Sequence, residues 1–270
     1  MPVLSAPVTV MMAIMTRLYP VGFSLCPGAM QNCEQGRTVA SMTDTTANAR
    51  KKVLYIGGHG KVGLLAAPKL VDANVDVHSL IRNPNQVADI EALGATPVVR
   101  DLTEISEEQW AELLADYDVV VWGAGNGGRA GAEVTWAVDR DAALASIAGL
   151  EKLAAAGKNT PAYIMISYMG ATTNTTDPAD EKWYAYVESK KAVDNKLNST
   201  NLNYLILGPA ALTEEPAQGI TVLTENSQRS ADMKTSRDLV ADVVTEVATR
   251  ETLPSSPLEF IDGDGSVKDI

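Results

Sequence analysis

From residue 51 onward, two kinds of segment alternate along the chain. Short runs rich in β-branched and aromatic residues predict strands at 52–56, 75–81, 96–100, 118–122, 162–166, 203–207 and 257–261. Longer runs with apolar residues three or four positions apart predict helices at 61–72, 85–93, 106–115, 133–156, 183–199 and 236–249. Strands that alternate with helices indicate βαβ units and a parallel sheet. The pattern therefore predicts an α/β fold with a doubly wound, mostly parallel central sheet and helices on both faces.

Two regions depart from this alternation. Residues 1–50 contain an apolar run at 8–15 that is too short to span a bilayer and that no basic residue precedes. We interpret 1–50 as a disordered extension or an over-long start, since Met42 is followed by polar residues and then the first strand; the alternative is a weak membrane or export signal. Residues 51–270 then form a single domain, in which 209–235 is expected to be a small substrate-side region with one short strand near 219–223.

Charge and cysteine usage exclude several kinds of site. The net charge of −12 over 270 residues argues against nucleic acid as the main partner, because phosphate backbones bind clustered basic residues. Residues 34–270 contain no cysteine, which excludes a cysteine nucleophile, a cysteine-ligated metal and a disulfide framework there. The two histidines, His59 and His78, do not have the spacing of metal ligands, so we expect no metal site.

A glycine cluster lies between the first predicted strand and the first predicted helix. Three of its glycines are three residues apart, and glycine lets the backbone turn sharply and approach a pyrophosphate without a Cβ clash. The N-terminus of the following helix offers free N–H groups and a partial positive charge to phosphates. We therefore expect this turn to bind a dinucleotide. The predicted contacts are Gly57, His59, Gly60, Lys61, Val62 and Gly63.

The end of the second predicted strand indicates which dinucleotide binds. An acidic residue at this place binds the ribose of NAD, whereas an arginine accommodates the additional phosphate of NADP. Asp76 lies at the beginning of the strand, the wrong end for this contact, and Ile81 occupies the place of the acid. Arg82 follows directly. We therefore expect NADP, with NAD as the alternative. Arg82 could also be a solvated charge of the loop that contacts no cofactor.

Two later strand ends add candidate cofactor contacts. Asp101 and Leu102 follow the third strand, where an aspartate can accept a hydrogen bond from an adenine amino group. The same residues also read as the approach to a helix with Thr103 as its N-cap, and both interpretations can hold. Ala124 and Gly125 follow the fourth strand, and their small size lets the backbone lie against a cofactor. A flexible loop is the alternative there.

Three residues near the fifth strand are candidates for catalysis. Ser167 directly follows the strand, and Tyr186 and Lys190 are four residues apart, which places them on one face of a helix. A lysine ammonium beside a phenol is expected to lower the pKa of Tyr186 and make it a general acid or base. Ser167 could then hold a substrate carbonyl or alcohol during hydride transfer. The alternative is a half-buried helical tyrosine with a solvated lysine.

Together these residues resemble the short-chain dehydrogenase/reductase superfamily, and more narrowly its atypical NmrA-like and NAD-dependent epimerase/dehydratase-like members. The resemblance covers about residues 51–262 and includes segments 207–213, 236–240 and 258–262. It implies a Rossmann fold, a bound NAD(P), and cofactor contacts from Lys190 and Pro209. One departure is that Gly208, Pro209 and Ala210 stand where the family has Arg-Pro-Gly.

The resemblance and the residues lead to one expected function. We expect an NADP-dependent oxidoreductase acting on a small carbonyl, alcohol or sugar-like molecule. The alternatives are an epimerase or dehydratase that uses the cofactor transiently, a non-catalytic NADP-sensing regulator, and a scaffold that binds no nucleotide. We expect a cytoplasmic monomer or homodimer with a small-molecule substrate and without nucleic-acid or membrane partners.

Overall fold

The alternation of strands and helices is present in the computed structural model, which describes residues 50–125, 127 and 129–270. The strands are β1 (Lys52–Ile56), β2 (Asp76–Ile81), β3 (Thr96–Val99), β4 (Val119–Trp122), β5 (Ala162–Ile166), β6 (Tyr204–Pro209), β7 (Ala211–Thr213), β8 (Ile220–Leu223), β9 (Lys234–Ser236) and β10 (Leu258–Asp262). The helices are α1 (Lys61–Asp72), α2 (Val87–Ala92), α3 (Glu107–Leu114), α4 (Ala132–Thr135), α5 (Ala143–Ala155), α6 (Glu181–Asn198) and α7 (Arg237–Thr249). The interpretation of 1–50 concerns residues outside the described part, apart from Arg50.

The central sheet has eight strands in the order β3-β2-β1-β4-β5-β6-β10-β8. Each neighbouring pair is parallel except β10 with β8. The chain builds outward from β1 to β3 and then returns to place β4 on the other side of β1. This reversal leaves a crevice at the carboxyl ends of β1 and β4, the place where doubly wound sheets bind ligands. The predicted fold class is confirmed.

Helices cover both faces of the sheet, and β1 shows how the sequence achieves this. Val53 and Tyr55 belong to the apolar core that α1 and α7 complete on one face. Leu54 and Ile56 belong to the core that α3 and α5 complete on the other face. Because both faces are buried, the strand has no polar alternation and is apolar after its first residue. No helix of the described residues is long and apolar enough to cross a membrane.

The region 209–235 is more regular than its sequence predicts. The expected short strand is β8, which pairs antiparallel with β10 at the edge of the main sheet. In addition, β7 and β9 pair in parallel as a separate two-stranded sheet, which the sequence did not predict. The strands β7 and β9 have only three residues each, too few to show a hydrophobic periodicity.

Two predicted helix features are wrong in detail. The helix predicted at 133–156 is interrupted, because residues Trp136–Ala142 form a wider π-helical segment between α4 and α5. Thr103 is not a helix N-cap: Asp101 caps a short 3₁₀ turn at Leu102–Glu104, and Ser106 caps α3 in a capping box with Gln109. A two-step entry of this kind separates the strand end from the helix and leaves Asp101 beside the crevice.

The contact between α3 and α5 depends on Gly149, and this gives a stability prediction. A Cβ atom at Gly149 would lie 2.7 Å from Trp110 Cβ and 2.9 Å from the backbone nitrogen of Ala111. Gly149→Ala should therefore lower the free energy of unfolding by about 1–2 kcal/mol, since overpacking outweighs the better helix propensity of alanine. Urea unfolding measures the change. Ala154→Ser, at an exposed position of the same helix, is the matched control and should change stability by less than about 0.5 kcal/mol.

Candidate functional site

The glycine turn after β1 packs directly against the ends of β2 and β4. Gly57 has φ +87°, and a Cβ there would lie 2.7 Å from Ala124 Cα. The N–H groups of Gly57 and Gly58 both donate to the carbonyl oxygen of Leu80, at 3.1 and 3.0 Å. A Cβ at Gly63 would lie 2.6 Å from the carbonyl oxygen of Gly58, so α1 rests on the turn itself. These contacts require glycine at both ends of the turn.

The N-terminus of α1 has the properties of an anion site. Gly60 occupies the N-cap position and has no side chain that could cap the first turn. The N–H groups there have no partner within the helix, and the helix dipole adds a partial positive charge. Both features suit a phosphate group, so the residues present fit the pyrophosphate of a dinucleotide.

A cavity of about 370 Å³ extends from this turn between the ends of β2 and β4. Its walls are mostly apolar, with polar groups from His59, Arg82 and Asp101. Ile81 and Leu102 line it, as do Ala124 and Gly125. The structure therefore brings candidate cofactor residues from the ends of four strands, β1 to β4, together in one place.

Two of these polar groups are oriented by neighbours. Asp101 accepts hydrogen bonds from the backbone nitrogen and hydroxyl of Thr103, at 3.0 and 2.8 Å, and these bonds lower its pKa. His59 Nε2 lies 2.8 Å from Asp89 Oδ2 and so connects the glycine turn to α2. Arg82 is exposed at the cavity.

A second cavity of about 220 Å³ joins the glycine turn to the candidate catalytic residues. Gly60, Lys61 and Val62 line it on one side, together with Ala124 and Gly125. Ser167, Tyr186 and Lys190 line the other side. Both groups that the sequence singled out therefore surround the same space.

Lys61 and Arg237, which also line this cavity, share a carboxylate partner. Glu214, on the segment after β7, lies 2.5 Å from Lys61 Nζ and 2.9 Å from an Arg237 nitrogen. Arg237 also donates to the carbonyl oxygen of Thr213 at 3.0 Å. These contacts connect α1, β7 and α7 across the cavity edge.

Lys190 and Ser167 are held at the end of β5 by buried hydrogen bonds. Lys190 is only 5% exposed, and its Nζ donates to the carbonyl oxygen of Ile166 at 2.9 Å. The Ser167 hydroxyl donates to Asp194 Oδ2 at 2.6 Å, and Asp194 is 1% exposed. Sequence reasoning missed Asp194. The signal was the spacing of Tyr186, Lys190 and Asp194, which are four residues apart on α6.

The predicted lowering of the Tyr186 pKa is wrong. Burial raises its pKa, and the negative charges of Asp139 and Asp194 raise it further, while Arg129 opposes them more weakly. Lys190 is committed to the Ile166 carbonyl oxygen rather than to the phenol. Tyr186 therefore carries its proton at neutral pH, and burial makes its hydroxyl a weaker acid than a solvent-exposed phenol.

A third and larger cavity of about 780 Å³ is also lined by Ser167 and Tyr186. The Tyr186 ring is stacked with Tyr168 and with Trp183, whose ring centroids lie 5.6 and 5.3 Å away. Pro209, which was predicted to bind the cofactor, lines this cavity and neither of the two cofactor-side cavities. It lies at the end of β6, where the strand leads into the 209–235 region.

This arrangement defines a Rossmann-type NAD(P)-binding protein of the atypical short-chain dehydrogenase/reductase class. Residues 57–251 match the NAD(P)H-binding family, and the chain belongs to this family. A relative named an uncharacterized sugar epimerase, YhfK of Bacillus subtilis, is 30% identical over 215 residues, which are 79% of this chain and 95% of the relative. Among the described residues, no group of three or more histidine, cysteine or acidic side chains could hold a metal ion.

Solved structures show the same fold. A candidate NAD-dependent epimerase/dehydratase from Bacillus halodurans superposes with a TM-score of 0.69 and 27% identity, over 81% of this chain and 97% of that one. A short-chain dehydrogenase/reductase of Veillonella parvula, determined in complex with NADP, superposes with a TM-score of 0.57 and 18% identity, over 80% and 98% of the two chains. The second likeness concerns the fold alone.

Asp194 gives a pH-dependent stability prediction. Burial raises its pKa to about 6, against opposing effects of Ser167 and Lys190. Because the folded pKa exceeds the unfolded value of about 3.9, this residue's favourable contribution is complete below about pH 4 and is lost as pH rises through about 6. The stability of the wild type relative to Asp194→Asn should therefore fall by about 2–3 kcal/mol over that range. Urea unfolding at several pH values measures this difference. A pH-independent difference would contradict it.

Proposed function

We propose that the protein is an NADP-dependent oxidoreductase that interconverts a small carbonyl compound and its alcohol. One observation supports this most strongly: the cavity of about 220 Å³ is lined both by the glycine turn and by Ser167, Tyr186 and Lys190. A cofactor held at the turn and a substrate held at Ser167 would meet in that space.

The preference for NADP rests on the residues at the end of β2. Ile81 ends the strand where an acid would bind a ribose, and Arg82 follows it at the cavity. Asp76 begins the strand at the opposite edge, where its carboxylate lies 3.6 Å from His78. His59 lines the same cavity but is paired with Asp89. Arg82, with Ile81 in place of an acid at the strand end, therefore favours a 2′-phosphate over a free ribose hydroxyl.

Three residues of the chain would have distinct roles at the substrate. A bound nicotinamide supplies or accepts the hydride. Tyr186, whose hydroxyl is protonated at neutral pH and lines the cavity with Ser167, donates a proton to the substrate oxygen during reduction. Ser167 already donates to Asp194, so its oxygen is free to accept a hydrogen bond from a substrate hydroxyl. Lys190 holds the carbonyl oxygen of Ile166 and thereby positions Ser167 beside α6.

An epimerase or dehydratase is the second candidate, and the names of the Bacillus subtilis and Bacillus halodurans proteins favour it. Such an enzyme would oxidise its substrate transiently and return the hydride, so it would use the same residues. Net consumption of NADPH with a carbonyl substrate distinguishes the two, because an epimerase leaves the cofactor unchanged at the end of each cycle.

The role of Arg82 can be measured without a substrate. Arg82→Gln should weaken NADPH binding about 10- to 100-fold and leave NADH binding unchanged, because only NADPH carries the phosphate that the guanidinium would pair with. Calorimetric titration measures both affinities. Lys158→Gln removes an exposed cation after α5 and should change neither affinity. Equal weakening of NADPH and NADH would count against the assignment of Arg82.

The role of Tyr186 is tested by removing its hydroxyl. Tyr186→Phe should reduce turnover at least about 100-fold while NADPH affinity stays unchanged, because the hydroxyl transfers a proton and the ring packing persists. Tyr184→Phe is the matched control on the same helix, where the ring packs against Trp136, and should keep full activity. NADPH oxidation followed at 340 nm is the readout.

A wild type that binds NADP⁺ and NADPH with different affinities, yet turns over no carbonyl, would instead support a redox-sensing regulator.

A further inference from the structure

The large substrate-side cavity carries almost no net charge. Among the described residues that line it, Arg229 is the only charged one. Its Nε lies 3.0 Å from Glu259 Oε2, and a second guanidinium nitrogen contacts the same oxygen. The other Glu259 oxygen accepts a hydrogen bond from the backbone N–H of Gly170 at 2.8 Å. The single cation is therefore already neutralised by a carboxylate that is itself fixed in place.

The groups around the reacting hydroxyls make this end of the cavity unfavourable for an anion. Asp194 lies directly behind Ser167, with its carboxylate 2.6 Å from the hydroxyl. Asp139, Arg129 and Lys190 line the cofactor-side cavity and not this one. An anionic group placed in the large cavity beside Ser167 would therefore lie next to the Asp194 carboxylate and would find no unpaired cation among the described residues that line that cavity.

The walls suit an apolar molecule of moderate size. Met169, Leu212 and Met233 line the cavity with the aromatic side chains of Tyr168 and Trp183. The Tyr186 ring stacks with Tyr168 and Trp183 and lines the cavity together with them. A volume of about 780 Å³ lies within the range of sites for small organic ligands and exceeds the needs of a triose.

We propose that the substrate is an uncharged, largely apolar carbonyl compound or the corresponding alcohol, and that phosphorylated, nucleotide-linked and carboxylated molecules are rejected. This rests on the proposed function, since it concerns the same site. In the reduction, NADPH held at the glycine turn would supply the hydride for the new C–H bond, the carbonyl π electrons would move to oxygen, and Tyr186 would supply the proton that solvent later replaces. A nucleoside diphosphate would bring at least two negative charges without a free cation among the described lining residues to receive them.

Two probes of similar shape and different charge test the inference. The neutral 1-phenyl-1,2-propanedione and the anionic phenylglyoxylate both carry a ketone beside a phenyl ring, and UDP-glucose represents nucleotide-linked sugars. Binding to the NADP⁺-loaded protein is measured by calorimetry and by quenching of Trp183, which is 44% exposed at the cavity. The neutral dione should bind at least about tenfold more tightly than either anion, which corresponds to about 1.4 kcal/mol.

A charge variant tests whether the Arg229–Glu259 pair is the cause. Glu259→Gln keeps an oxygen for the Gly170 N–H but releases Arg229, so affinity for phenylglyoxylate should rise about tenfold while affinity for the dione is unchanged. The double variant with Arg229→Gln should lose this gain. Thermal unfolding and NADPH binding of both variants confirm that the fold and the cofactor site are intact.

The outcomes separate the inference from the proposed function. Tighter wild-type binding of phenylglyoxylate or UDP-glucose than of the dione would overturn the inference. So would an unchanged phenylglyoxylate affinity in Glu259→Gln, or binding of no probe at millimolar concentration by protein that still binds NADPH. Failure of the wild type to bind NADPH at all would instead contradict the proposed function, and the inference with it.

Discussion

The close contact between the glycine turn and the ends of β2 and β4 is the constraint on which the site depends. Gly57 lies so near Ala124 that no side chain fits between them, and Gly63 lies equally close to the carbonyl oxygen of Gly58. The first contact fixes the distance between the turn and β4, and the second fixes the start of α1 on the turn. The cavity for a dinucleotide exists because these backbones approach without intervening side chains.

The fold and the cofactor side of the site could be predicted because their signals are local in sequence. An apolar strand, a glycine turn and a helix follow one another within residues 52–72. The alternation of strands and helices then continues through α7. Arg82 and Asp101 were located by counting from strand ends, and the structure places both at the cavity of about 370 Å³. Their contacts with a cofactor remain predictions, but their convergence follows from parallel strands that all end at one edge.

The missed features depend on contacts between distant residues. The bond between Ser167 and Asp194 joins residues 27 positions apart, and the pairing of Arg229 with Glu259 joins residues 30 apart. The strands β7 and β9 are too short to show a hydrophobic periodicity. The π-helical segment before α5 does not differ in amino-acid composition from an ordinary α-helix. The predicted direction of the Tyr186 pKa shift was wrong for the same reason. Spacing showed that Lys190 shares its helix face, whereas the actual partner of Lys190 is a carbonyl oxygen on β5.

One helix, α6, carries Trp183, Tyr186, Lys190 and Asp194 in four successive turns. The proton-handling groups thus have mutual distances set by helical geometry and by two bonds to the end of β5. The opposite wall of the cavity comes from the separate segment 209–235. Mutations in that segment can reshape what enters without altering the spacing of the groups that would react, so substrate preference and chemistry are free to evolve at different rates.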